Sequence, residues 1–72
     1  MNKTKAILNH LLEYGNITSW EAIQQYGATR LSAIIFNLRH RYNLNIVNET
    51  INFTDRYGNK ANYVKYVLIN EN

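Results

Sequence analysis

The side chains most capable of chemistry lie in one basic stretch, RLSAIIFNLRHR, at residues 30–41. An arginine here can reach a guanine edge or a phosphate, and the amide of Asn37 can bond an adenine edge through two hydrogen bonds. Ser32 and Ala33 are small enough to let the backbone approach a groove closely. The stretch therefore indicates recognition of a nucleic acid, provided that these side chains share one exposed face.

A helix through this stretch would divide its side chains between two faces. At 100° per residue, the apolar residues lie within about 60° of one direction and form an inward stripe. That stripe consists of Leu31, Ile34, Ile35, Leu38 and Tyr42. Arg39 falls at one edge of the outward face, opposite the edge that carries Arg30 and Arg41. We predict these contact residues for the helix: Thr29, Arg30, Ser32, Ala33, Phe36, Asn37, His40 and Arg41.

Phe36 falls on the outward face, where an apolar ring is unfavourable unless something covers it. Three explanations remain open at this point. The ring could pack at the edge of the helix or under a following hairpin, touch thymine methyl groups, or anchor a protein partner. We expect packing. Ile34 together with Phe36 nevertheless keeps a protein-binding function as the alternative hypothesis.

The composition argues against an enzyme and against a bound cofactor. The chain of 72 residues has no cysteine, and its five carboxylates are scattered. His10 and His40 are too far apart in sequence to suggest a metal site, and no glycine-rich phosphate loop occurs. With no apolar run of about 20 residues, we predict no membrane span and a cytoplasmic location. The net charge of +3 permits a nucleic-acid partner without requiring one.

Caps and glycines predict the elements that would position the basic stretch. A first helix over 4–14 would start at Asn2 or Thr4 and end at a glycine. A second, over 19–26, would start with a capping box formed by Thr18 and Glu21. The third, over 30–42, would be capped by Thr29. A short helix, a turn at Gly27 and Ala28, and a longer basic helix form a helix-turn-helix pattern.

The remainder of the chain predicts a β-hairpin over 46–69, with the polar tip DRYGNKAN. Gly58 and Asn59 would supply residues of positive φ to the tip. A short third strand is expected near Ile17. The overall prediction is an α+β winged helix-turn-helix, formed as a single domain over 1–72.

Two further groups of residues could contact a phosphate backbone. The hairpin tip offers Arg56, Tyr57, Asn59 and Lys60. The start of the second helix offers Ser19 and Trp20, where free backbone N–H groups favour an anion. For Trp20, as for Tyr26, packing is the stronger expectation.

Several short motifs recur in a known kind of protein. They are Ile17-Thr18-Ser19 with Ala22, the run GATRL at 27–31, the run IFNLR at 35–39, and Tyr66 ahead of Leu68. In these motifs residues 7–46 resemble the small phage and prophage helix-turn-helix domains. Ile34, where a polar or basic residue is common, and the long basic exit RHRYNLNI depart from that pattern.

The resemblance implies a DNA-binding protein of a phage or mobile element in a bacterial host cell, acting as a small regulator or an excisionase-like factor. Double-stranded DNA is the expected partner, and binding as cooperative copies on DNA remains open. The alternative is a protein-binding module on the same fold, such as a phage inhibitor of a host enzyme.

Overall fold

A computed structural model describes residues 2–69 of the chain. In chain order it contains α1 (Lys3–Tyr14), β1 (Asn16–Thr18), α2 (Ser19–Tyr26), α3 (Leu31–Arg41), β2 (Ile46–Thr54) and β3 (Lys60–Leu68). The three strands form one antiparallel sheet in the order β1-β3-β2. The predicted α+β arrangement of three helices followed by a hairpin is confirmed for the described residues.

The first two helices begin at the predicted caps. The side chain of Asn2 accepts from the Lys5 amide at 2.7 Å and so caps α1. At α2, the Glu21 amide donates to Thr18 Oγ1 at 3.2 Å, and the Thr18 amide donates to Glu21 Oε1 at 3.0 Å. This reciprocal capping box fixes the first turn of a helix that has only eight residues.

The turn between α2 and α3 sets the crossing of the two helices. Gly27 has φ 65, a left-handed conformation that a residue with a Cβ adopts only at a cost. Its N–H donates to Ile23 O at 2.9 Å, and the N–H of Ala28 donates to Ala22 O at 3.0 Å. Ala28 is buried in the core. A turn this short, anchored by a buried residue, prevents the helices from running antiparallel side by side.

The ends of α3 differ from the prediction. The helix begins at Leu31, and Arg30 rather than Thr29 is its N-terminal cap residue, with no side-chain hydrogen bond. The cap predicted at Thr29 is therefore wrong. Tyr42 is 52% exposed, so its predicted inward position is also wrong. The helix ends at Arg41, Asn43 turns the chain with φ 54, and Leu44 packs on the core in place of the tyrosine.

The hairpin is regular and carries the predicted third strand. Its register runs without interruption from Ile46 opposite Leu68 to Thr54 opposite Lys60. On the other side of β3, the fully buried Ile17 of β1 lies opposite Tyr66. The strand predicted near Ile17 is thereby confirmed.

The hairpin tip turns on one glycine and one carboxylate. Gly58 has φ 83, as predicted, but Asn59 has no positive φ, so that expectation is wrong. Asp55 Oδ1 instead accepts from the amides of Tyr57 and Asn59, each at 2.9 Å. The carboxylate closes the turn, and a second left-handed residue is not needed.

One core joins the helices to the base of the sheet. Burial of the apolar side chains of this core is the main stabilising contribution available to a chain of this size. No helix among residues 2–69 is long and apolar enough to cross a membrane. The buried apolar residues are Ile7, Leu11, Ile17, Ala22, Ala28, Leu31, Ile35, Leu38 and Ile46.

Candidate nucleic-acid interface

The face of α3 opposite the core presents the predicted contact residues to solvent. Leu31, Ile35 and Leu38 are buried, and Ile34 packs partly against the core. The side chains predicted for contact are all exposed, as an interface requires. They are Thr29, Arg30, Ser32, Ala33, Phe36, Asn37, His40 and Arg41.

The three arginines near this face have different surroundings. Arg39 Nε donates to Ile46 O at 2.8 Å, and its Nη2 donates to Asn48 Oδ1. Within residues 2–69, neither Arg30 nor Arg41 has a side-chain hydrogen bond or ion pair. Arg39 therefore attaches α3 to β2, while the other two guanidinium groups are available to an anion.

Phe36 does not pack against the hairpin. It is 60% exposed, and its ring lies against His40 with the centroids 4.3 Å apart at 41°. The expectation that it packs is wrong, because Arg39, on another side of the helix, makes the contact with β2. Phe36 and His40 instead form an aromatic pair one turn apart on the outer face of α3.

The start of α2 and the strand β3 enclose a groove of about 490 Å³. Trp20 is 68% exposed at its edge, so the expectation that this ring packs is wrong. The first turn of a short helix projects beyond the core, and the indole projects with it. Ser19 is exposed at the same place. The groove is lined by Asn16, Thr18, Ser19, Trp20, Glu21, Tyr63, Val64 and Lys65.

Tyr63 and Lys65 were not identified from the sequence as candidate site residues. Both lie on β3 in alternate positions, on the sheet face that also carries Thr18 of β1 opposite Lys65. The alternation of β3 was visible in the sequence. Its pairing with β1, which brings these two residues beside Trp20, was not.

The hairpin tip is the second cationic part of the surface. Arg56, Tyr57, Asn59 and Lys60 are all exposed, as predicted. No hydrogen bond or ion pair among residues 2–69 engages the side chain of Arg56 or Lys60. The backbone of the tip is fixed through Asp55, so the two cations extend from a defined turn.

His10 and Tyr26 meet inside the molecule and away from these surfaces. His10 is buried, and its Nδ1 lies 2.7 Å from the hydroxyl of Tyr26. Burial, and secondarily the neighbouring Tyr14, Glu13 and Glu21, raise the pKa of Tyr26. The phenol therefore remains neutral and joins α1 to α2, which confirms that Tyr26 packs. Residues 2–69 hold no cluster of three or more potential metal ligands.

Comparison with known proteins agrees with this geometry. A family model described as a winged helix-turn-helix domain matches residues 2–71, nearly the whole chain. No curated protein and no solved structure gives a significant match.

Proposed function

The chain belongs to the winged helix-turn-helix domain family, and from this membership we propose that it binds double-stranded DNA and catalyses no reaction. In this proposal α3 enters the major groove, which is about 12 Å wide and admits a helix. The hairpin acts as the wing, and its tip contacts the phosphate backbone.

One observation carries the proposal. Arg39 donates its hydrogen bonds to β2 of the wing. Arg30 and Arg41 remain exposed on α3, as does Asn37. An amide flanked by cations suits a base edge flanked by phosphates. Because Arg39 also bonds to the first residues of β2, the base of the wing is held at a constant position relative to the reading face. Arg56 and Lys60 then supply contacts that position the helix without reading sequence.

The groove at the start of α2 is the third proposed contact. Ser19 and the indole N–H of Trp20 are exposed there, next to Lys65. A phosphate at this place would be bound by donors and a cation, and the helix dipole would favour it. The capping box already engages the amides of Thr18 and Glu21, so side chains would make most of these contacts.

The motifs shared with small phage and prophage domains support a mobile-element origin, a bacterial cytoplasmic location, and a regulatory or excisionase-like process. These finer assignments depend on that resemblance and not on the geometry of α3. DNA binding itself does not depend on them.

Selection from random duplex oligonucleotides with the purified protein tests the proposal. We expect one enriched motif, since α3 presents groups that distinguish base pairs in the major groove. Retention of duplexes with no enriched sequence would contradict the reading role of α3. Failure to retain any duplex at low salt would contradict DNA binding altogether.

A second candidate function is protein binding through the exposed Phe36. The observation that favours it is a ring 60% exposed on the outer face, whose one ring contact within residues 2–69 is with His40. If Phe36 touches thymine methyls, Phe36→Ala weakens binding to the selected duplex, by less than the roughly 1–3 kcal/mol that a bidentate hydrogen-bonded pair contributes. If it anchors a protein, the substitution leaves duplex binding unchanged and abolishes capture of that protein by the parent bait.

A further inference from the structure

The strand β2 has one edge that no other described strand covers. In the sheet order β1-β3-β2, residues 46–54 pair with β3 on one side only. Proteins usually protect such edges with lysines, prolines, bulges or very short strands. Here β2 has nine residues, contains no lysine or proline, and pairs one-to-one with β3 throughout. Beyond its contact with Arg39, the outer edge of β2 is therefore open to another strand.

Two backbone hydrogen bonds show which residues of β2 face that edge. Ile69 N donates to Asn45 O at 2.8 Å, and Asp55 N donates to Asn59 O at 2.9 Å. These pairs bracket the ladder, and both join odd-numbered residues. Since bonded and non-bonded pairs alternate in an antiparallel ladder, the odd residues of β2 bond to β3. The even residues direct their N–H and C=O groups outward.

Arg39 already occupies the first outward carbonyl, that of Ile46. The contact agrees with the alternation, because Ile46 is an even residue. The outward backbone groups of Asn48, Thr50, Asn52 and Thr54 remain, and all four residues are exposed. The free edge is thus a run of alternate donors and acceptors along most of the strand.

We propose that β2 pairs antiparallel with β2 of a second copy of this chain, about a two-fold axis at Thr50. In this register Thr50 lies opposite Thr50, and Asn48 lies opposite Asn52 of the other copy. Outward residues then meet outward residues over 48–52 of each copy, and Ile46 keeps its contact with Arg39. On the outer face of the sheet, Val47 lies opposite Phe53 of the other copy, so two half-exposed apolar side chains come together.

Charge disfavours one neighbouring register of this pairing, and the turn at Asn43 disfavours another. The chain is cationic overall, but the only charged residue of β2 is Glu49. With the axis at Thr50, Glu49 lies opposite Ile51. Moving the axis to Asn52 would place Glu49 opposite Asp55, and like charges directly opposite are destabilising. An axis at Asn48 would shorten the overlap, because Asn43 turns the chain away with φ 54.

The pairing closes at two copies. A two-fold axis uses the same edge of both chains, so neither copy keeps a free β2 to recruit a third. The opposite edge of the sheet is occupied in part by β1, which has only three residues. A strand-edge contact buries less area than a standard stable interface. The dimer should therefore be weak in free solution.

Because the chain has no cysteine, a single introduced thiol reports the pairing. Thr50→Cys would place its two thiols opposite each other at a Cα separation of about 5.5 Å, which suits a disulfide. Thr54→Cys is the matched control, because the same strand places its two thiols about 27 Å apart. Both positions are exposed. The oxidant is diamide, and no DNA is present, so the result is independent of the proposed DNA binding.

We expect Thr50→Cys to form the disulfide dimer at least about tenfold faster than Thr54→Cys, because pairing raises the effective thiol concentration. Equal rates would overturn the proposal. As a second measurement, Thr50→Lys should weaken dimerisation in sedimentation at high protein concentration by about fivefold, through like charges at the axis. Asn62→Lys, on the other edge of the sheet, should leave it unchanged. If the Thr50→Lys variant dimerises as strongly as the parent, the proposal is also overturned.

Discussion

The phenol of Tyr26 joins α1 and α2 through one hydrogen bond, at 2.7 Å from His10 Nδ1. Its partner, His10, is buried between the rings of Tyr14 and Tyr26, with centroid distances of 4.7 and 5.6 Å. A buried polar group that loses its partner costs more than the bond itself contributes. The pair therefore has a structural function, even though a histidine beside a tyrosine resembles an acid–base pair.

Tyr26→Phe should lower the free energy of unfolding at neutral pH by about 1 kcal/mol, because His10 loses its hydrogen-bond partner. Burial raises the folded pKa of Tyr26, so the unfolded chain releases the phenolic proton first. The stabilisation is complete below the unfolded pKa of about 10. It is lost as the pH rises from there through the folded pKa.

Urea unfolding of the parent and of Tyr26→Phe between neutral pH and pH values above the phenol range measures this difference. Tyr57→Phe, at an exposed ring, is the control and should follow the parent at every pH. A gap between the parent and Tyr26→Phe that stays constant at high pH would contradict the assignment.

Side-chain exposure was the part of the candidate site that the sequence predicted least well. Helical rotation placed Phe36 correctly on the outer face, but whether the hairpin covers it depends on where β2 leaves α3. Trp20 was expected to pack because large aromatic rings usually do. Its position in the first turn of α2, beyond the core, is a tertiary fact that local spacing does not contain.

At the scale of elements, Arg39 links α3 to β2. It joins the last turn of α3 to the first residues of β2 across a connection of only four residues, 42–45. Helical spacing identified it as an edge residue. Its hydrogen-bond acceptors could not be predicted, because one of them is a backbone carbonyl fixed by strand register.

Arg39→Ala should lower the free energy of unfolding by about 1 kcal/mol, since two hydrogen bonds from a charged donor are lost at a partly exposed place. Arg41→Ala, two residues away and without a partner in the described chain, should change it by less than about 0.5 kcal/mol. Urea unfolding of the parent and of both variants measures these changes in the free energy of unfolding. Equal effects on stability would show that Arg39 does not hold the wing.

Element boundaries followed closely from local chemistry where a cap exists. The capping box at Thr18 and Glu21 marked the start of α2 correctly. For α1 the sequence left Asn2 and Thr4 open, and Asn2 is the cap, one residue before the helix begins at Lys3. At α3 no side-chain cap forms, and there the prediction missed the first residue and the cap. The start of α3 depends instead on packing in the core. Ala28 is buried, and its position determines where the helix can begin.

At the scale of the whole molecule, the basic groups lie at separate places on one fold: the outer face of α3, the wing tip, and the groove at α2. Contact through all three would neutralise a handful of phosphates. We expect log K to fall with log salt concentration at a slope of about −3 to −6. Arg56→Ala should reduce the magnitude of the slope by about 1, and Arg56→Lys should preserve it.

Fluorescence anisotropy titrations across a salt series measure these slopes. An affinity for duplex that hardly changes with salt would contradict binding through phosphates. If Arg56→Ala leaves the slope unaltered, the wing tip does not contact DNA. The proposed contacts of α3 would not be affected by that result.

One winged-helix module buries only about 600–1,000 Å² on DNA, so a single copy should bind its site modestly. Pairing through β2 would give two reading helices related by a two-fold axis, and the selected sequence would then be an inverted repeat. An enriched motif without that symmetry would support DNA binding and contradict pairing through β2.

The central claim is that the outer face of α3 reads base edges. Its most direct test is the affinity of Asn37→Ala for the selected duplex and for a scrambled duplex at the same salt concentration. We predict a loss of at least about fivefold on the selected duplex, because a bidentate amide contact is worth about 1–3 kcal/mol, and no loss on the scrambled one. Asn9→Ala, an exposed amide on α1, should match the parent on both. Equal affinity of Asn37→Ala and the parent for the selected duplex would contradict the claim.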